Sequence, residues 1–301
     1  MLRKIGGQLA GALQKTALVF STVLALTQVS HAEGLKLQVF NPGEKSLFAV
    51  TSTLVTGKSE AVLIDAQFQK DDAQSVLAMI KQSGKKLTTI YISHSDPDFY
   101  FGLDVIKQAY PDARVIATPK TVEKIRASID GKVAYWGPIL KENAPDQVFV
   151  PDVITSDTIE VDGQKLIIQG LNGHDPVHTY LWIPSLKTVA GGVIVNENRH
   201  VWIADAQTRA SRQNWFKTLD TIIDLNPKRV IPGHYVERAV QDLSSVRQTR
   251  EYIVTFEKEA SKAVDSKELI ERMKQLYPDY TNFGSLEISA KVIKGEMTWP
   301  Q

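Results

Sequence analysis

Residues 92–102 read Ile92-Ser93-His94-Ser95-Asp96-Pro97-Asp98-Phe99-Tyr100-Phe101-Gly102. The run before them, Leu87-Thr88-Thr89-Ile90-Tyr91-Ile92, is apolar and β-branched and reads as a buried strand. After them, Leu103-Asp104-Val105-Ile106-Lys107 reads as the start of a helix. One His and two Asp therefore occupy the turn that leaves the C-terminal end of a strand. In open α/β sheets that edge is where ligands bind. Side chains at alternate positions of a tight turn can share one pocket, and Pro97, with its fixed φ, suits such a turn. The same residue types are also ordinary turn formers and helix caps, so the segment alone does not decide between the two readings.

The chain has 301 residues and no cysteine. Zinc–thiolate sites and Cys nucleophiles are thereby excluded, and any metal would rest on His, Asp, Glu or backbone oxygen. Residues 1–32 read as a secretory signal peptide. Arg3, Lys4 and Lys15 mark a basic region, Thr16 to Val29 is apolar, and Ser30-His31-Ala32 offers small residues for cleavage before Glu33. The expectation is a secreted or periplasmic protein, with residues 33–301 as a single domain that has no membrane association after processing. Loss of those three basic residues turns a formal charge of +1 slightly negative, which gives no reason to expect a nucleic-acid partner. The charge says nothing of oligomeric state.

Strand patterns at Leu35–Phe40, Ser46–Thr56 and Glu60–Asp65, separated by Asn-Pro-Gly and Gly-Lys-Ser turns, suggest an antiparallel meander. Asp71–Gln82 has helical spacing, with Ala73, Val76, Leu77 and Ile80 on one face. A strand at Arg114–Ala117 precedes a helix from about Lys120 to Ile129. Gly131 to Asp146 reads as irregular, either a lid or pocket wall at the site or a packed surface loop. Strands follow at Asp157–Val161, Gln164–Gln169, Thr179–Ile183 and Lys187–Val195. A helix at Arg209–Leu225, a short strand at Lys228–Ile231 and a mostly helical part from about Ala239 complete the chain. Strands then helices, twice over, predict an α/β protein: an αββα sandwich of two packed mixed sheets with helices on the outer faces.

Two further segments join the first. Gly173-His174-Asp175-Pro176-Val177-His178-Thr179 precedes a strand, and Ile231-Pro232-Gly233-His234 follows one. With Leu63-Ile64-Asp65 near the N-terminus, their order and spacing resemble the metallo-β-lactamase superfamily, from roughly Leu35 to Ala239. That family's first motif is His-x-His-x-Asp-His. Here His94 matches its first His, Asp96 stands in place of the second, Asp98 matches the Asp, and Phe99 stands in place of the last His. His174 matches the next ligand and His234 the last, while Gly192 stands where the bridging acid belongs.

The resemblance implies a metal set of His94, Asp96, Asp98, His174 and His234. His94, Asp96 and His174 would hold one divalent ion, zinc first and iron or manganese as the other candidates. Asp98 and His234 would be the catalytic pair, Asp98 orienting or deprotonating a water and His234 assisting. A second ion would lack ligands at Phe99 and Gly192 unless Asp205, His178 or Asp175 supplied them. Asp65 would support the first motif. The implied activity is hydrolysis of an ester, lactone or amide-type small molecule by metal-activated water. The alternative is a non-catalytic periplasmic binding or interaction protein with a degenerate metal site.

Overall fold

A computed structural model describes residues 34–236 and 239–299 of the chain. The expected signal peptide, residues 1–32, lies outside the described residues. The first sheet contains β1 (Lys36–Phe40), β2 (Ser52–Thr56), β3 (Glu60–Ile64), β4 (Lys86–Ile92), β5 (Arg114–Ala117) and β6 (Asp152–Val153), in that spatial order. β1, β2 and β3 are antiparallel, because short turns can only fold the chain back on itself. From β3 to β6 the strands run parallel, which requires crossovers. Helix α1 (Lys70–Ser83) makes the first, α2 (Leu103–Ala109) the second and α3 (Pro119–Leu140) the third.

The second sheet has the order β12-β10-β9-β8-β7, with β7 (Thr158–Val161), β8 (Gln164–Gln169), β9 (Tyr180–Ile183), β10 (Thr188–Ala190) and β12 (Arg229–Val230). It is antiparallel except for β10 and β12, which α4 (Arg209–Asp224) connects. A parallel pair, β11 (Asn196–Glu197) and β13 (His234–Tyr235), lies apart from both sheets. Helices α5 (Leu243–Lys262), α6 (Ser266–Leu276) and α7 (Phe283–Ile293) end the chain. No helix among the described residues is long and apolar enough to cross a membrane.

The period-2 alternation of β3 and β4 builds the layers. Val62, Ile64 and Tyr91 face Leu166, Ile168, Leu181 and Ile183 of the second sheet. Their neighbours Ala61, Leu63, Ile90 and Ile92 face the other way and pack with Val76, Ile80 and Ile106 of α1 and α2. The second sheet buries Tyr180 and Val189 with Trp215, Leu219, Ile253 and Phe256 of α4 and α5. These three cores are the αββα sandwich, two mixed sheets with helices outside.

Some boundaries differ from those predicted. Of Ser46–Thr56 only Ser52–Thr56 is strand, because Ser46 and Leu47 hydrogen-bond the Gln69 side chain instead of a neighbouring strand. The run from Lys187 stops being strand at Ala190, where Gly191 and Gly192 take φ values of 75° and 79°. The irregular segment expected from Gly131 is helix as far as Leu140. Trp136 on that helix packs edge-on against Phe48 and Phe68. This burial offsets the roughly 1 kcal/mol that an interior glycine costs. α7 lies within the part from about Ala239 expected to be mostly helical.

A Cβ built on Gly192 would overlap the carbonyl oxygen of Thr179, and one on Gly233 would overlap that of Gly192. The backbones of β9, β10 and the β13 approach are thus in direct contact, with no room for side chains. Gly192→Ala is expected to lower unfolding stability by about 3 kcal/mol, from overlap and positive φ together, measured by urea denaturation.

His200 is fully buried, against Tyr252, Tyr280 and Phe283. Its Nδ1 lies 2.9 Å from the Tyr252 hydroxyl, and Nε2 has no partner among the described residues. Burial pushes its pKa from 6.5 down to about 4. The unfolded chain therefore takes up the proton first, and stability present above pH 6.5 is lost as pH falls towards 4. About 2 kcal/mol of acid sensitivity is expected from this residue, and His200→Asn should flatten the stability profile across that window.

Candidate functional site

The first motif is held in place by Asp65. Its buried carboxylate accepts hydrogen bonds from Ser93 N at 2.8 Å and Ser93 Oγ at 2.7 Å. Ser93 Oγ in turn accepts the N–H of Gly192 at 2.7 Å. Burial raises the Asp65 carboxyl to about 7, against the lowering effect of the Ser93 bonds. The next residue, His94, thus leaves β4 in a fixed direction. A 3-10 turn over Pro97–Phe99 then brings Asp98 and Phe99 inward, both buried.

Two His–Asp pairs result. His94 Nδ1 lies 3.3 Å from Asp96 Oδ2, and His234 Nε2 lies 2.8 Å from Asp98 Oδ2. Phe99 is wholly buried between them, its ring edge-on to His94 at 5.4 Å and to His234 at 5.5 Å between centroids. Burial would lower the His94 pKa, but the Asp96 charge and hydrogen bond outweigh it and the net direction is up. For His234 burial wins over the Asp98 bond and the pKa falls, so the imidazole is neutral at pH 7. Burial works to raise the Asp96 carboxyl, yet the charge and bond of His94, with Lys132, hold it below the usual carboxylate range.

Of the five sequence-predicted site residues, His94, Asp96, Asp98 and His234 come together and His174 does not. His174 is exposed, with Nε2 3.0 Å from Asn214 O and 3.2 Å from Thr218 Oγ1 on α4. The reason is the turn: with Gly170 at φ 87° and Gly173 N bonded to Gly170 O, residue 174 lies on the outer side of the loop. His178, four residues later and next to β9, stands beside His94 instead. Their rings stack at 5.6 Å with an interplanar angle of 10°. Asp175 Oδ2 holds His178 Nδ1 at 2.8 Å, and Trp215 stacks on its other face at 6.2 Å. The sequence offered two His four apart, and adjacency to the strand was the signal that favoured His178.

The pocket above these pairs has a volume of about 370 Å³. Asp96, Asp98 and His234 form part of its wall, Lys132, Tyr135 and Trp136 come from α3, and Arg199, Trp202, Asp205 and Trp299 line the opposite side. Asp205 is fixed by two indoles: Oδ2 accepts Trp202 Nε1 at 2.7 Å and Oδ1 accepts Trp299 Nε1 at 2.8 Å. Lys132 Nζ donates to Ser95 O at 2.6 Å and lies 3.9 Å from Asp96 Oδ1. Arg199 is 4% exposed, and its Nε has no partner among the described residues. Burial lowers its pKa to about 10 while Asp98 works to raise it. Sequence reasoning missed Lys132, because it read that stretch as loop, and Arg199, which belongs to no motif.

The donor set does not fit a metal ion. Among the described residues no three His, Asp or Glu side chains converge on one. His234 faces Asp98, His94 faces Asp96, and Phe99 fills the space between the two imidazoles. Gly192 cannot carry the bridging acid, and both oxygens of Asp205 are engaged by tryptophans.

A family model described as the metallo-beta-lactamase superfamily matches residues 46–234, which span every motif of the site. Among solved structures, the chain is similar to a metallo-beta-lactamase family protein from Thermus thermophilus. That match has a TM-score of 0.62 and 16% identity, and covers 87% of this chain and 92% of that one. It is also similar to metallo-beta-lactamase IND-7, at a TM-score of 0.52 and 19% identity over 73% of this chain and 94% of that one. At these identities the likeness is one of fold. No curated protein matches the sequence. The family match, the two mixed sheets and the motifs at their shared edge agree, and the chain belongs to the metallo-β-lactamase superfamily.

Proposed function

We propose that this chain keeps the ligand pocket of its superfamily and not the metal pair, and that it binds a small organic molecule there. The superfamily fold is generally that of metal-dependent hydrolases. The observation that carries the reading is that the residues at the metal positions pair with one another: His234 Nε2 is hydrogen-bonded to Asp98 at 2.8 Å, and His94 Nδ1 accepts the Asp96 N–H and lies 3.3 Å from the Asp96 carboxylate. Charged and polar groups at one end of the pocket and the rings of Tyr135, Trp136, Trp202 and Trp299 around it suit a ligand with an aromatic or apolar body and a polar group. With residues 1–32 read as a signal peptide, binding takes place in the periplasm or outside the cell.

A second reading has one observation in its favour. His234 is a neutral imidazole oriented by a carboxylate at a pocket wall, which is how a general base is held. Hydrolysis of an ester, lactone or amide would then need His234 to take a proton from water while Asp98 keeps the ring aligned. Fold alone does not choose between binding and turnover.

Three of the five tryptophans line the pocket, so intrinsic fluorescence reports its occupancy. Titration with a panel of small aromatic esters, lactones, lactams and carboxylates should give a saturable change that chelator leaves unaltered. Ser128→Trp, which fills the pocket from α3, should abolish it. If turnover of any of these is seen, His234→Gln should lower kcat/KM by about 100-fold. Activity that requires one equivalent of zinc and disappears in His94→Ala would refute the metal-free reading.

A further inference from the structure

Three carboxylates, Asp96, Asp98 and Asp205, line one pocket, and two basic side chains, Lys132 and Arg199, line it with them. Of the three, Asp98 is buried, Asp96 half-buried and Asp205 exposed, and charge withdrawn from water is tolerated only where it is paired. Asp205 is met by two indole N–H groups. Asp98 has His234 at 2.8 Å and feels the charge of Arg199. Asp96 has His94 at 3.3 Å on one oxygen and the Lys132 ammonium at 3.9 Å on the other. Lys132 is not a surface lysine that happens to lie nearby. Its side chain is 21% exposed, and its Nζ is anchored at 2.6 Å to the carbonyl of Ser95, inside the first motif itself. It is also drawn by all three carboxylates, Asp96, Asp98 and Asp205, against the cost of its burial.

We propose that Lys132, seconded by Arg199, takes the electrostatic place of the metal in this chain: an ammonium carried on α3 meets the charge of Asp96 where a metal ion would otherwise do so. The inference rests on the metal-free reading of the pocket and names what replaces the ion. A tethered cation has consequences that an empty site would not. It cannot be removed by chelator, and it repels any divalent ion that approaches Asp96. Taking the charge away while keeping the length of the side chain should therefore leave Asp96 with His94 alone and raise its attraction for any cation that enters the pocket.

The test is zinc binding by the whole chain, read by calorimetry and by elemental analysis after desalting. Lys132→Met should bind zinc at least about tenfold more tightly than wild type, and Lys132→Arg, which keeps the charge, should behave as wild type. Lys132→Met should also melt lower than wild type, and Lys132→Arg should not. Arg199→Met carries the same expectation towards Asp98 and serves if Lys132→Met does not fold. Lys132→Met with no gain in zinc affinity, or Lys132→Arg with the same gain, overturns the role of the lysine. Tryptophan titration of wild type then still reports on the pocket reading by itself. Tight zinc binding by wild type overturns both.

Discussion

Asp65 is a buried carboxylate at the edge where the two sheets meet, and the site depends on what it holds. Its two oxygens take the N–H and O–H of Ser93, and the Ser93 oxygen takes the N–H of Gly192. Three groups in sequence thereby join the end of β3, the end of β4 and the end of β10, which belong to different sheets. Hydrogen bonds to a charged group contribute about 1.5–3 kcal/mol each. That stabilisation offsets an unusual backbone, since Asp65 and Gln67 both have positive φ, 62° and 76°. The turn is locked from the other side as well. Ala66 N bonds Phe99 O and Gly102 N bonds Gln67 O, both at 2.8 Å. A side chain at 102 would overlap the Ala66 carbonyl, which is why the motif ends in glycine. His94, Asp96 and Asp98 are thus aimed by main-chain contacts rather than by each other.

The same close approach of backbones explains what the site lacks. Gly192 is in contact with the Thr179 carbonyl, and Gly233 with the Gly192 carbonyl. A bridging acid at 192 would need the chain at Thr179, beside β9, to draw back from the end of β10, so its absence is part of the packing and not a single exchanged side chain. Phe99 is the other half of that arrangement. Its edge lies against both His94 and His234, where a polar ligand would leave an unpaired group buried among Phe101, Leu103 and Ile92. The two departures from the family pattern reinforce each other, because each fills the volume that a second ion would need.

Much of this was legible in the sequence. The repeat of strands then helices set the layers, and the order of three His-containing turns after or before strands pointed to the family. The geometry of the second His segment was only partly legible, and His174 and His178 show why. Both are His, both lie within one turn of the same loop, and only the path set by Gly170 decides which one reaches His94. Asp205 was within reach of the site by sequence distance, but nothing local could say that Trp202 and a tryptophan 94 residues further on would occupy both of its oxygens. Lys132 was hidden by the reading of Gly131 to Asp146 as irregular, in a stretch where Gly131 and Pro138 disfavour helix. Tertiary packing of Trp136 on Phe48 and Phe68 overrides that propensity, and so the helix carries its lysine over the motif.

A pocket that had merely lost its purpose would be expected to close. Uncompensated carboxylates are costly next to apolar walls, and replacing a buried ion pair by well-packed apolar residues is often neutral or stabilising. This chain does neither. Asp96, Asp98 and Asp205 each keep a specific partner, and about 370 Å³ beside them stays unfilled although large aromatic side chains stand around it. Arg199 goes further: a guanidinium 4% exposed, with its Nε unpaired among the described residues, is held at the wall of that space. An open pocket whose charged side chains stay individually paired around it, more than the superfamily's chemistry, is the physical reason to regard it as a binding site.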